Sequence, residues 1–155
     1  MTDRPGDFEP WGLKCLPDPV GSQLPGDPSS LRGLAAALLA HPGRWCFLLA
    51  ADMPWPDADL LGRQGLWLER RRRRGRSPLG VCLSLPGGIE PFHAVYHASL
   101  AASAIRFLAT GRRAVREWIA GEGEAIGVVG ARELGVAARR LDRCLANVNF
   151  NPNPT

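Results

Sequence analysis

The side chain best placed to do chemistry in this sequence is Asp52. It closes the apolar run Trp45-Cys46-Phe47-Leu48-Leu49-Ala50-Ala51 and precedes the turn-forming Met53-Pro54. A continuous apolar run of this length, with a helix pattern on each side, reads as a central strand of an α/β sheet. Its C-terminal end is where open α/β sheets bind ligands, and a carboxylate there can hold a hard cation. An aspartate after an apolar strand also serves as a helix cap or turn residue.

Other chemical candidates are weaker. His93 and His97 stand four apart, which is metal spacing on a helix, but they fall in or after a strand and are read as structural or solvent-facing. Gly87-Gly88 lacks a surrounding GxxxxGK or GxGxxG and reads as a hairpin turn. Cys15, Cys46, Cys82 and Cys144 show no CxxC spacing, so neither a zinc site nor a disulfide framework is indicated. Of eighteen arginines, six lie in Arg70-Arg71-Arg72-Arg73-Arg74-Gly75-Arg76, while Lys14 is the single lysine. No aromatic residue interleaves that run, so it reads as a solvated helix end and loop rather than a nucleic-acid surface.

The elements that must position these residues follow in order. Residues 1–12 read as a loose leader, Leu13-Lys14-Cys15-Leu16 as a short strand, and Val20 to Ser30 as a loop. Ser29 or Ser30 caps a well-buried helix from Leu31 to Ala40, which His41-Pro42-Gly43 ends. Pro56-Asp57 opens the next helix, whose apolar side is Leu60, Leu61, Leu66, Trp67 and Leu68. Leu79 to Leu85 and Ile89 to Tyr96 read as strands. Ser99 is expected to cap a helix to Thr110, and Val115 to Ala120 carries core residues Trp118 and Ile119. Ala125 to Val129 is β-rich, Arg132 to Arg143 helical or irregular, and Leu145 to Phe150 a closing strand. Strands alternating with helices predict one domain over residues 1–155, a three-layer α/β sheet.

Composition agrees with a globular class, at 45% hydrophobic and 22% charged residues with a net charge of +4. No apolar run reaches the roughly 20 residues of a membrane span. The polar start Met1-Thr2-Asp3-Arg4-Pro5-Gly6 carries no export pattern, so a cytoplasmic location is expected.

Ala51-Asp52-Met53-Pro54, then Glu90-Pro91-Phe92-His93-Ala94-Val95-Tyr96, then Gly111-Arg112-Arg113-Ala114-Val115-Arg116-Glu117-Trp118, then Asn147-Val148-Asn149 form an ordered series. Together they resemble the molybdenum cofactor guanylyltransferase family of Rossmann-like nucleotidyltransferases. That family shows an (A/C)DMP strand end, a (H/E)P-aromatic segment, a G-x-R-x-hydrophobic stretch before Trp or Phe, and a closing N-hydrophobic-N. The match covers most of residues 13 to 150. The resemblance implies transfer of GMP from GTP to molybdopterin, with Mg²⁺ and release of pyrophosphate. It makes Asp52 the metal ligand, Asn149 a second polar group beside the metal, and Asn147 a support for the backbone or the pterin. Glu90 and Pro91 would shape the acceptor wall. Leu31 and Gly33 stand where the family's GPL-x-G loop approaches the nucleotide, and Asp18 falls near an aspartate before that loop.

The sequence departs from the family in lacking a LAGGxSxRMGxDK loop, and Ser29-Ser30-Leu31 replaces the Gly-Pro-Leu. It therefore reads as N-terminally truncated relative to the family, with apolar surface along Trp45 to Ala51 left to pair with a protein partner or a second copy. The alternative function is a non-catalytic relative that binds molybdopterin or a partner. A cytidylyl- or sugar-nucleotide transferase, and a nucleic-acid binder built on the arginine run, rank below both.

Overall fold

The computed structural model describes residues 29–53 and 55–146. The expected leader, the Leu13 to Leu16 strand, the loop up to residue 28, and residues 147–150 of the closing strand lie outside the described residues. The chain divides into two compact units, Met1–Cys46 with His97–Gly121, and Phe47–Tyr96 with Glu122–Thr155.

The first unit is helical. α1 (Ser30–Ala40) starts where the serine predicts, since Ser29 Oγ accepts from the Arg32 amide at 3.3 Å. Leu31, Leu34, Ala35 and Leu38 are buried on α1, which packs against α3 (Ala101–Ala109). α4 (Val115–Gly121) buries Trp118 and Ile119 as expected, and the Trp118 indole donates to Ser103 Oγ at 3.1 Å. Ser99 does not cap α3. The chain first makes a 3-10 turn, Ala98–Leu100, and His97 caps it by accepting the Ser99 amide on Nδ1 at 3.2 Å. With its own amide taken by His97, Ser99 lies inside the turn instead of ahead of the helix.

The four-stranded sheet, in the order β1-β3-β2-β4, lies mostly in the second unit. β2 (Gly80–Leu85) and β3 (Gly88–His97) form an antiparallel hairpin around Pro86-Gly87, and Gly88 takes a φ of +112° that suits glycine. β4 (Ile126–Val129) runs parallel to β2, with Gly80 opposite Ile126 and Leu83 opposite Val129. The sheet is therefore mixed. α2 (Ala58–Arg73) packs on β2 with Leu60, Trp67 and Leu68 buried, while Leu66 is exposed. The expected helical or irregular stretch resolves into α5 (Ala131–Leu134) and α6 (Ala138–Cys144), separated at Gly135 with φ +67°.

β1 (Trp45–Leu48) is shorter than the apolar run and stands at the end of the sheet among the described strands. Phe47 is 39% exposed. Leu49 and Ala50 leave the ladder because the chain turns at Ala51-Asp52, where the Met53 amide donates to Ala50 O at 3.1 Å. An unbroken apolar run signals hydrophobic surroundings but not how many of its residues pair or on which sides.

Candidate functional site

The arginine run forms the last turn of α2 and the loop after it, where positive charge suits the helix C-terminus. It is largely exposed, but Arg71 stacks over Trp67 at 4.8 Å from the ring centroid and pairs with Glu133 at 3.2 Å. Arg76 pairs with Glu124 at 2.9 Å. The Trp67–Arg71 partnership is an i,i+4 pair, so the aromatic partner stands one turn ahead of the arginine run rather than within it.

The Asp52 carboxylate is exposed on the turn after β1. Met53 beside it is buried, which anchors the near end of the segment leading to α2. Asp57 anchors the far end. Its Oδ1 caps α2 by accepting the Leu60 amide at 3.0 Å, as the Pro56-Asp57 opening predicts. Arg140 of α6 grips the same carboxylate, with Nη2 donating to Oδ1 at 2.7 Å and Nε donating to Oδ2, and its Nη1 reaches Asp59 at 2.7 Å. The Arg140 hydrogen bonds hold the Asp57 carboxyl well below the usual carboxylate range, at about 2. Trp55, Asp57, Asp59, Arg140 and Arg143 border a concavity of about 610 Å³ here.

A lowered carboxyl stabilises the fold above its ordinary titration and loses that contribution as pH falls towards the lowered value. Asp57→Asn keeps a capping oxygen but removes the charge opposite Arg140. Its stability at pH 7 should fall by about 1 kcal/mol, because the arginine is partly exposed. Denaturant titrations should show the gap from wild type closing as pH drops from 3.8 towards about 2.

The Glu90-Pro91 segment is a bulge. Leu83 pairs with Glu90 and Val81 with Val95, so Cys82 alone faces Pro91, Phe92, His93 and Ala94. Glu90 Oε1 accepts the Phe92 amide at 3.0 Å, and the Pro91 carbonyl accepts the Tyr96 hydroxyl at 2.8 Å. Burial pushes the Tyr96 hydroxyl up, and it pushes the Cys82 thiol up to about 12. His93 Nε2 accepts the Asp57 amide at 2.9 Å, and its carbonyl accepts Gln64 Nε2 at 2.7 Å. The structural reading of both histidines holds. What the spacing did not reveal is that His93 reaches α2; a proline within a strand pattern was the available sign of a bulge.

Of the expected site residues, Asp52, Glu90 and Pro91 belong to the second unit, and Leu31 and Gly33 to the first. Leu31 is fully buried in α1, so its side chain serves the core. Gly33 lies in α1, and nothing is within 4 Å of where its Cβ would stand. Gly33→Ala should therefore stabilise the fold by about 0.5–1 kcal/mol in a thermal melt. Asp18, Asn147 and Asn149 lie outside the described residues. Among the described residues, no group of three or more His, Cys, Asp or Glu is placed to hold a metal, and no helix is long and apolar enough to cross a membrane.

Over 116 residues the chain is 35% identical to a "probable molybdenum cofactor guanylyltransferase" from Peptoclostridium acidaminophilum, a span of 74% of this chain and 50% of that protein. Among solved structures, molybdopterin-guanine dinucleotide biosynthesis protein A from Archaeoglobus fulgidus matches with a TM-score of 0.58 at 21% identity, over 80% of this chain and 58% of that one. A protein from Aquifex aeolicus VF5 matches with a TM-score of 0.64 at 14% identity, over 94% and 67% respectively. No protein-family model matches. The mixed four-stranded sheet and its helices thus share the α/β fold of these two structures. More narrowly, the chain is similar to that probable molybdenum cofactor guanylyltransferase, and it spans about half the length of this curated relative.

Proposed function

We propose that the chain acts in molybdenum cofactor biosynthesis as a guanylyltransferase-like protein, moving GMP from GTP to molybdopterin with release of pyrophosphate. The observation that carries this is the 35% identity to a protein named for that activity. A 116-residue match within 155 residues necessarily includes Asp52, Glu90 and Pro91. The local chemistry supports it. Of the two carboxylates flanking the segment after β1, Asp57 is committed to the helix cap and Arg140, while Asp52 is exposed.

A single exposed carboxylate suits Mg²⁺, which commonly takes one or two carboxylates and fills its shell with water and substrate phosphates. Bound there, the ion would neutralise charge on the triphosphate. The protein's own part is to hold Asp52 on a short anchored segment and to wall the acceptor side with the Glu90-Pro91 bulge. Such positioning and charge complementarity carry most of phosphoryl-type transfer.

The chain spans 50% of the relative it matches, so a second reading stands beside the first, a relative that binds molybdopterin or a partner without turnover. Purified chain incubated with GTP, Mg²⁺ and molybdopterin separates the two. Pyrophosphate release that depends on Asp52 supports the transferase, whereas molybdopterin binding without release or Mg²⁺-dependent GTP binding supports the second reading.

A further inference from the structure

His93 is the one non-glycine residue with a left-handed backbone among the described residues, at φ +49°. A side chain there costs conformational energy, and such strain persists only where the surroundings over-determine it, often at functional sites. Three contacts do so here. The imidazole accepts the Asp57 amide, the His93 carbonyl is held by Gln64, and Phe47 of β1 meets the ring edge-on at 5.0 Å between centroids. The residue is completely buried. An apolar side chain would fill the same volume without strain on polar groups. What the imidazole alone adds is an acceptor directed at the amide of Asp57, the residue that caps α2.

That amide matters because of what precedes it. The chain from Asp52 to Asp57 reads Asp52-Met53-Pro54-Trp55-Pro56-Asp57. The buried Met53 anchors one end and the His93 hydrogen bond anchors the other, with Pro56 restricting the backbone just before Asp57. We infer that His93 is a positioning residue, which fixes the short segment carrying Asp52 by accepting the Asp57 amide proton. The link to catalysis rests on the guanylyltransferase reading; the structural link to Asp57 does not.

The acceptor role requires a neutral ring. Burial moves the His93 titration below its ordinary 6.5, although the Asp57 carboxylate opposes the shift. The charged group facing the ring is Asp57, the cap of α2, with its partner Arg140 from α6, and opposite the bulge on β2 the Cys82 thiol stays neutral. Phe47 from β1 and Gln64 from α2 bring no charge. Because the folded value is lowered, the hydrogen bond is fully present above 6.5 and is lost as pH falls through the folded value. Protonation turns Nε2 into a donor facing another donor.

The test is amide NMR on the full chain with His93→Leu and His93→Gln, the second keeping an acceptor. In wild type the Asp57 amide should be protected at neutral pH and shift in step with the His93 ring below 6.5. In His93→Leu its exchange should rise by roughly tenfold, the scale of one net hydrogen bond, while the Val81 and Val95 amides keep their protection. His93→Gln should restore most protection and abolish the pH step. An Asp57 amide that ignores the ring titration in wild type, or that is unchanged in His93→Leu, overturns the inference; the wild-type arm decides the matter even where the leucine variant does not fold. In turnover assays the Mg²⁺ concentration for half-maximal rate should rise about tenfold in His93→Leu and recover in His93→Gln, as for other residues that orient a metal ligand. A simple loss of folded protein lowers the rate equally at every Mg²⁺ concentration. If no turnover exists, the guanylyltransferase reading fails while the amide result still stands or falls by itself.

Discussion

Replacing Asp52 with alanine is expected to lower Mg²⁺-dependent pyrophosphate release by roughly 10²–10³-fold, the scale of removing one preorganised electrostatic group from a transfer site. The melting temperature should barely move. Asp52 is exposed on a turn, and the helix that follows is capped by Asp57 rather than by Asp52, so alanine leaves that cap intact. Asp52→Asn distinguishes charge from shape. It preserves volume and hydrogen-bonding capacity but removes the anionic oxygen that a hard cation prefers, and it should lose nearly as much rate as the alanine variant. Asp57→Asn makes the opposite pattern, a measurable stability change at an ion pair remote in role from the metal. Should Asp52→Ala retain activity within about twofold, the metal role assigned to this carboxylate is wrong, since a mere surface turn residue has an effect near zero.

Much of the site's scaffold was legible in short-range chemistry. Ser29 and Asp57 cap the helices they precede because serine and aspartate oxygens satisfy first-turn amides. The Pro86-Gly87 hairpin and the buried Trp118 and Ile119 follow from turn chemistry and periodicity in the same way. What was not legible depends on residues distant in sequence. Arg140 reaches back to Asp57 over a separation of 83 residues, and no local pattern pairs them. Neither does spacing announce that one residue of β2 faces four of β3, which is what turns His93 towards α2. The His93–His97 interval looked like a metal pair under helical geometry. In a bulged strand the two rings serve different turns, His93 at Asp57 and His97 at Ser99. The apolar run before Asp52 was informative about hydrophobicity and silent about pairing, so its strand came out shorter and at the sheet's end among the described strands.

Gly127→Ala should be the most damaging small substitution in the second unit, at about 3 kcal/mol, with a melting temperature lower by roughly 10 °C. A Cβ on Gly127 would stand 2.2 Å from Cη2 and 2.6 Å from Cζ3 of Trp67. Clashes this deep require the ring or the strand to move. The strand is held by parallel pairing, with Gly127 opposite Val81 of β2. The ring is held on its other side: its Nε1 donates to Glu133 at 3.1 Å, and the Arg71 guanidinium that covers it is tied to the same carboxylate. Moving the indole therefore breaks the hydrogen bond and the stack together. The diagnosis is separable from a general intolerance of β4, because the penalty belongs to a pair. In a Trp67→Leu background, where the ring atoms are gone, Gly127→Ala should cost less than about 1 kcal/mol, leaving a coupling of roughly 2 kcal/mol in a double-mutant cycle of denaturant titrations. Equal costs in both backgrounds would place the strain in the backbone of β4 instead. Either way the effect is one of stability, so specific activity per folded molecule should be unchanged, the reverse of the pattern expected at Asp52.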